Sequence, residues 1–155
     1  MNQSTHIRLA GKEDLDQITK RELAIGADVI ENKIGLGEVI VTDDCGQITG
    51  ILRFSWFWDY LPFINYLWVE EGFRHEQRAS RMIQKLEEIT EGKNYQTVMT
   101  STQADETAQN FYRKIGFEDA GGFTMHGHPF ELIMIKYINH EQNNASKRTA
   151  STRSA

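Results

Sequence analysis

Four cations recur in the middle of the chain, Arg74, Arg78, Arg81 and Lys85, at intervals of four, three and four residues. On a helix that spacing places them along one face. They come after a strand-like run that ends Leu67-Trp68-Val69. A strand feeding directly into a helix offers free N–H groups and the positive end of the helix dipole, a natural seat for phosphate or pyrophosphate. A solvated helix face has the same spacing, so the spacing alone leaves both readings open. Tyr112 stands near the end of a second helix-like segment, one position past Phe111. A phenol with an ordinary pKa of about 10 can protonate a leaving group, or it can simply pack.

Other reactive groups are less organised. Trp56, Trp58, Asp59 and Tyr60 cluster just before the strand that ends at Val69. Their aromatic faces can hold an amine and Asp59 can pair with it, although core packing explains an inward Trp equally well. Glu38, Asp59, Glu70 and Glu71 are candidate proton acceptors, and spacing singles out none of them. His126 and His128 flank Gly127 and read as turn residues; with no third ligand in view, no metal is expected. Cys45 sits in a turn with no base marked for it, so a thiol nucleophile is not expected.

The elements that must position these groups alternate between two periods. A short strand at residues 6–9 precedes an amphipathic helical stretch at 13–29. Strands at 37–42 and 48–58 flank the turn Asp43-Asp44-Cys45-Gly46 and form a hairpin. A third strand occupies 62–71. The helix at 74–90 carries Ala79, Met82, Ile83, Leu86 and Ile89 on one face and stops at Gly92. A strand at 95–100, a helix at 104–115 stopped by Gly116, and strands near 117–123 and 130–138 complete the series. The crossover between 64 and 100 makes two strands parallel in an otherwise antiparallel sheet. The fold class is α/β or α+β with a mixed sheet.

Composition sets the outer limits. The chain has 155 residues, 17 Lys+Arg against 22 Asp+Glu, and a net charge of −5. This is one domain's worth of chain, and its acidity argues against general nucleic-acid binding. A single Cys excludes an intramolecular disulfide framework and fits a reducing compartment. No apolar run reaches membrane-spanning length, so a soluble, cytoplasmic protein without membrane attachment is expected. Residues 139–155 are polar with nothing larger than Ala on the apolar side, and read as a flexible tail beyond a domain at 1–138.

Together the two central segments resemble the GNAT N-acetyltransferase superfamily. Its phosphate motif has the form Arg/Gln-x-x-Gly-x-Gly/Ala after a strand ending in Val. Here Arg74 takes the first place and Ala79 the last, and FYRKIGF matches the common aromatic-Tyr-x-x-x-Gly-Phe ending. The resemblance implies helices on both faces of a mixed sheet whose central parallel strands splay around a cleft for acetyl-CoA. It implies that the strand end at Leu67, Trp68 and Val69 holds the acetyl carbonyl and pantetheine. Arg74, His75, Glu76, Gln77, Arg78, Ala79 and Ser80 would hold the pyrophosphate. Asp105 would reach the pantetheine arm, and Tyr112 would protonate the departing thiolate. A small-molecule or peptide amine accepts the acetyl group, and a homodimer stays open. One departure stands out: the motif's middle glycine is Gln77. Gly is used there because a side chain obstructs close approach of the backbone to the ligand. The alternative implied by Gln77 is a non-catalytic acyl-CoA-binding or interaction module of the same fold.

Overall fold

A seven-stranded sheet in the order β1-β2-β3-β4-β5-β7-β6 organises the chain. The computed structural model describes residues 4–75, 77–91, 93 and 96–138. Residues 1–3, Glu76, Gly92, Asn94, Tyr95 and residues 139–155, where a tail is expected from the sequence, lie outside the described residues.

The strands are Thr5–Leu9 (β1), Val39–Asp44 (β2), Gln47–Phe57 (β3), Leu61–Val69 (β4), Thr97–Gln103 (β5), Glu118–Phe123 (β6) and Glu131–Tyr137 (β7). All neighbours pair antiparallel except β4 and β5, which are parallel. The helices are Leu15–Arg21 (α1), Ala27–Gly35 (α2), Arg78–Glu91 (α3) and Ala108–Lys114 (α4). None of the described helices is long and apolar enough to cross a membrane.

Local chemistry explains the hairpin that begins the sheet. Cys45 and Gly46 both take positive φ, 54° and 94°, and the Gly46 N–H reaches Asp43 Oδ1 at 2.6 Å. Two left-handed central residues give a turn whose twist matches the flanking strands. The sheet then separates two apolar layers. On one face α3 buries Met82, Ile83 and Leu86 against Leu52, Phe54 and Ile64 of β3 and β4. Each such side chain contributes about 1.5–3 kcal/mol. On the other face Ile18 of α1 and Ile30 and Ile34 of α2 pack on Val39, Val41 and Ile51.

Three elements differ from the sequence reading. The stretch at 13–29 is two helices, not one. Glu22 turns extended (φ −96°, ψ 98°) to reach the Ala24 N–H and Arg53, and Gly26 starts α2. Apolar spacing runs across this break and does not mark it. The third helix begins at Arg78 rather than 74, since His75 and Gln77 hold φ of 68° and 62°. The fourth begins at Ala108 rather than 104, after a turn.

Candidate active site

The central feature is an interrupted strand pair. β4 and β5 are in register only at Phe63 with Met99 and Ile64 with Thr100. Directly beyond, β4 carries an extra residue, Asn65, between the positions opposite Arg53 and Phe54. Such a bulge bends its strand and re-aims the residues beyond it. The two strands diverge from there. A cavity of about 840 Å³ lies against the splay, walled by Leu67 and Val69 of β4, the 73–80 segment and α4.

Each wall has a local cause. The Glu70 N–H donates to Thr49 O of β3 at 2.8 Å. Alternation along the strand therefore turns the N–H and C=O of Val69 the other way, toward the side β5 has left. The Val69 carbonyl is met there by Arg74 Nε at 3.0 Å. Gln77 supplies the carbonyl that opens α3: it accepts the Arg81 N–H and the Ser80 hydroxyl, each at 3.0 Å. The first-turn N–H groups of α3, with no intrahelical acceptor, lie at the cavity wall.

The cation stripe dissolves. Arg74 precedes the helix, Arg81 is exposed, and Lys85 pairs with Glu88 at 3.7 Å. Arg78 turns inward: it is 6% exposed, bonds Asp44 Oδ1 at 2.9 Å, and stacks on Phe73 at 4.7 Å. Thr5 and Thr49 also donate to the Asp44 carboxylate. Burial pushes that carboxyl up, but the Arg78, Thr49 and Thr5 hydrogen bonds and the Arg78 charge outweigh it, bringing it down to about 2. Arg78 thus fastens the start of α3 to β1, β2 and β3, while also forming part of the cavity wall.

Tyr112 lies beneath the cavity, 6% exposed, with its ring edge-on to Phe111 and Phe117. Its polar neighbour is Thr100, the last β5 residue in register with β4, whose own hydroxyl donates to Ile64 O at 3.1 Å. Burial pushes the phenol above its usual range, Thr100 opposes this, and Glu106 adds to it. The group therefore stays protonated at neutral pH.

The remaining sequence candidates divide. Leu67, Val69, Arg74, His75, Gln77, Arg78, Ala79, Ser80 and Tyr112 all line the cavity. The Trp68 side chain does not; it faces the α1 side, under the Arg21 guanidinium at 5.0 Å. Asp105 is exposed in the turn before α4 and is not part of the wall, whereas Thr107 and Ala108 are. Trp58, Asp59 and Tyr60 form the turn between β3 and β4 and are not part of the cavity wall. Glu70 accepts from Arg21 and Gln47, Glu38 pairs with Lys33, and Glu71 begins a 3-10 turn. No group of metal-ligating side chains occurs among the described residues. Phe73, Lys114 and Ile115 also reach the wall; no pattern in the sequence marks them.

Comparison with known families decides the matter: the acetyltransferase (GNAT) domain matches residues 35–119, more than half of the chain. The chain belongs to the GNAT acetyltransferase family. It is thereby a CoA-dependent acyltransferase, and its mixed seven-stranded sheet with one parallel pair is the GNAT fold. No curated protein matches by sequence. Similar solved structures include Ard1 from Thermoplasma volcanium, with 18% identity over 88% of this chain and 99% of that one, TM-score 0.75. An N-acetyltransferase from Staphylococcus aureus Mu50 shares 22% identity over 88% and 99%, TM-score 0.71. PaiA N-acetyltransferase from Thermoplasma acidophilum, in complex with coenzyme A, shares 15% over 86% and 99%, TM-score 0.71.

Within this GNAT chain the strain at Gln77 yields a prediction. Gly in place of a left-handed Gln relieves roughly 1 kcal/mol. Gln77→Gly is expected to raise the melting temperature by about 3 °C, and not to lower it as a helical glycine would. Thermal unfolding followed by circular dichroism reads the sign directly, and a fall would show that the Gln77 side chain holds the loop.

Proposed function

We propose that this chain transfers an acetyl group from acetyl-CoA to a primary amine by direct attack. The single observation that carries the reading is the convergence, at one splayed strand pair, of a helix start and a buried protonated phenol. The cavity suits the donor molecule at both ends. Arg74, Gln77, Ser80 and the start of α3 offer donors to a pyrophosphate, while Leu67, Val69, Ala108, Phe111 and Ile115 offer apolar walls to a slender arm.

Acetyl-CoA, when bound, supplies an activated acetyl group. The Val69 N–H polarises the acyl oxygen, which is where positioned donors lower a barrier most. Tyr112 gives its proton to the departing sulfur and recovers one from solvent. Glu70 is already occupied by Arg21 and Gln47, so water takes the proton lost by the attacking amine. Direct transfer needs positioning and polarisation rather than a nucleophilic residue.

A second reading, a binding-only module, is favoured by the strained Gln77 where the family places glycine. Titration calorimetry tests the part common to both. Arg74→Ala is expected to weaken CoA binding by about tenfold, the loss of one charge-assisted contact, and added salt should weaken the wild type. An Arg74→Ala protein that binds CoA like the wild type, with no salt dependence, would remove the pyrophosphate from this end of the cavity.

A further inference from the structure

With the cavity on the α3–α4 face of the splay given to acetyl-CoA in the reading above, the opposite, α1–α2 face is the one left for an amine. One strand inward on that face stands a buried ion pair that plays no part in the mechanism above. Arg53 lies directly opposite Tyr66 of β4, beside the splay, and its guanidinium sits 5.5 Å from the Tyr66 ring. Its partner is Glu22, from the irregular segment between α1 and α2. Their side chains are only 13% and 6% exposed.

The pair is poorly made. Arg53 Nη2 and Glu22 Oε2 are 3.4 Å apart and not hydrogen-bonded, and Arg53 Nη1 and Glu22 Oε2 are both buried without a hydrogen-bond partner. Buried polar atoms are rarely left this way, because each forfeits its hydration. A guanidinium with an unused N–H recognises a carboxylate. Beyond this pair Glu22 accepts the Ala24 N–H through its carboxylate and closes α1 through its own N–H to Ile18 O at 3.0 Å, and its neighbour Leu23 is 85% exposed. The Glu22 side chain can therefore leave Arg53 while that backbone bond and the strands stay in place.

We propose that Arg53 is the specificity determinant of the acceptor site, binding the carboxylate of an amino-acid acceptor whose α-amine is acetylated, with Glu22 holding that place until the acceptor enters. The inference rests on the acetyltransferase reading above and narrows its substrate class.

The test is a thiol-release assay with the common amino acids, each beside its α-amide, on the full chain with acetyl-CoA. Wild type is expected to favour at least one amino acid over its amide by about tenfold or more in kcat/KM, the worth of a charge-assisted bond. Arg53→Lys is expected to shrink that preference through KM, with CoA affinity unchanged. Arg53→Met strands the buried Glu22 charge, so Glu22→Gln/Arg53→Met, which removes both charges, is measured beside it and should erase the preference. Glu22→Gln alone removes the internal competitor and should lower KM for the amino acid but not for its amide, a change that a merely structural pair does not produce. Equal use of acids and amides by the wild type, or equal losses on both in the Arg53 variants, overturns the inference alone. Binding of CoA with acetylation of no amine at all overturns the enzymatic reading beneath it.

Discussion

Tyr112→Phe is expected to cut acetyl transfer at least tenfold while CoA affinity stays within about twofold of wild type. A general acid contributes about 10²–10⁴-fold where it is needed. A thiolate is a tolerable leaving group, with a reference thiol pKa of about 8.5, so the loss should fall toward the lower end. The phenylalanine ring keeps the edge-on contacts with Phe111 and Phe117. What disappears is the polar contact of a buried hydroxyl beside Thr100, at most about 1 kcal/mol. Thr100→Val separates the two roles. It removes that neighbouring hydroxyl together with its bond to Ile64 O but leaves the phenol, so it should lower stability at least as much while turnover is largely kept. If both variants lose turnover equally, the hydroxyl acts only as a structural donor.

The largest effect on stability is expected at Asp44. Removing one partner of a buried pair strands the other charge, and Asp44→Ala leaves Arg78 without its main acceptor while two threonine hydroxyls lose theirs. The expected loss is about 3–5 kcal/mol, or roughly 6–20 °C in melting temperature for a domain of this size. CoA binding should weaken with it, because Arg78 begins α3 at the cavity wall. The pH dependence has a definite sign. The Asp44 carboxyl is held at about 2 in the folded chain, below its ordinary value near 4. Its stabilisation is therefore complete above pH 4 and disappears as pH falls toward 2. Acid unfolding of the variant should be correspondingly shallower in that window. Asp14 still contributes there: burial raises its carboxyl, but hydrogen bonds from Arg8 and the Gly11 N–H and the Arg8 charge hold it low. Identical acid slopes for the two proteins would contradict the assignment.

The fold was largely legible because its signals are local. The Asp43–Gly46 turn chemistry, the apolar face of α3 and the strand–helix–strand crossover each arise from neighbours in sequence. The cavity's strand end and loop were legible for the same reason, since Val69 precedes Arg74 and Ala79 in a continuous motif. The side-chain directions were not. Arg78 has the spacing of a solvated stripe, but Asp44, thirty-four residues away, draws it inward. Gln77 looked helical, yet its left-handed φ places it before the helix and reverses the expected sign of its replacement by glycine. The bulge at Asn65 and the Glu22–Arg53 pair likewise depend on segments distant in sequence coming together, and no spacing along one segment announces them.

The central claim is that this cavity performs transfer and does not merely bind. Its most direct measurement is free-thiol release from acetyl-CoA by the full chain across a panel of primary amines, set beside calorimetric CoA binding on the same preparation. Saturable, amine-dependent thiol release is expected, accompanied by a product heavier by one acetyl group, with most of that rate lost in Tyr112→Phe. CoA binding at micromolar affinity with no amine-dependent release from any member of the panel would contradict it and leave a binding module.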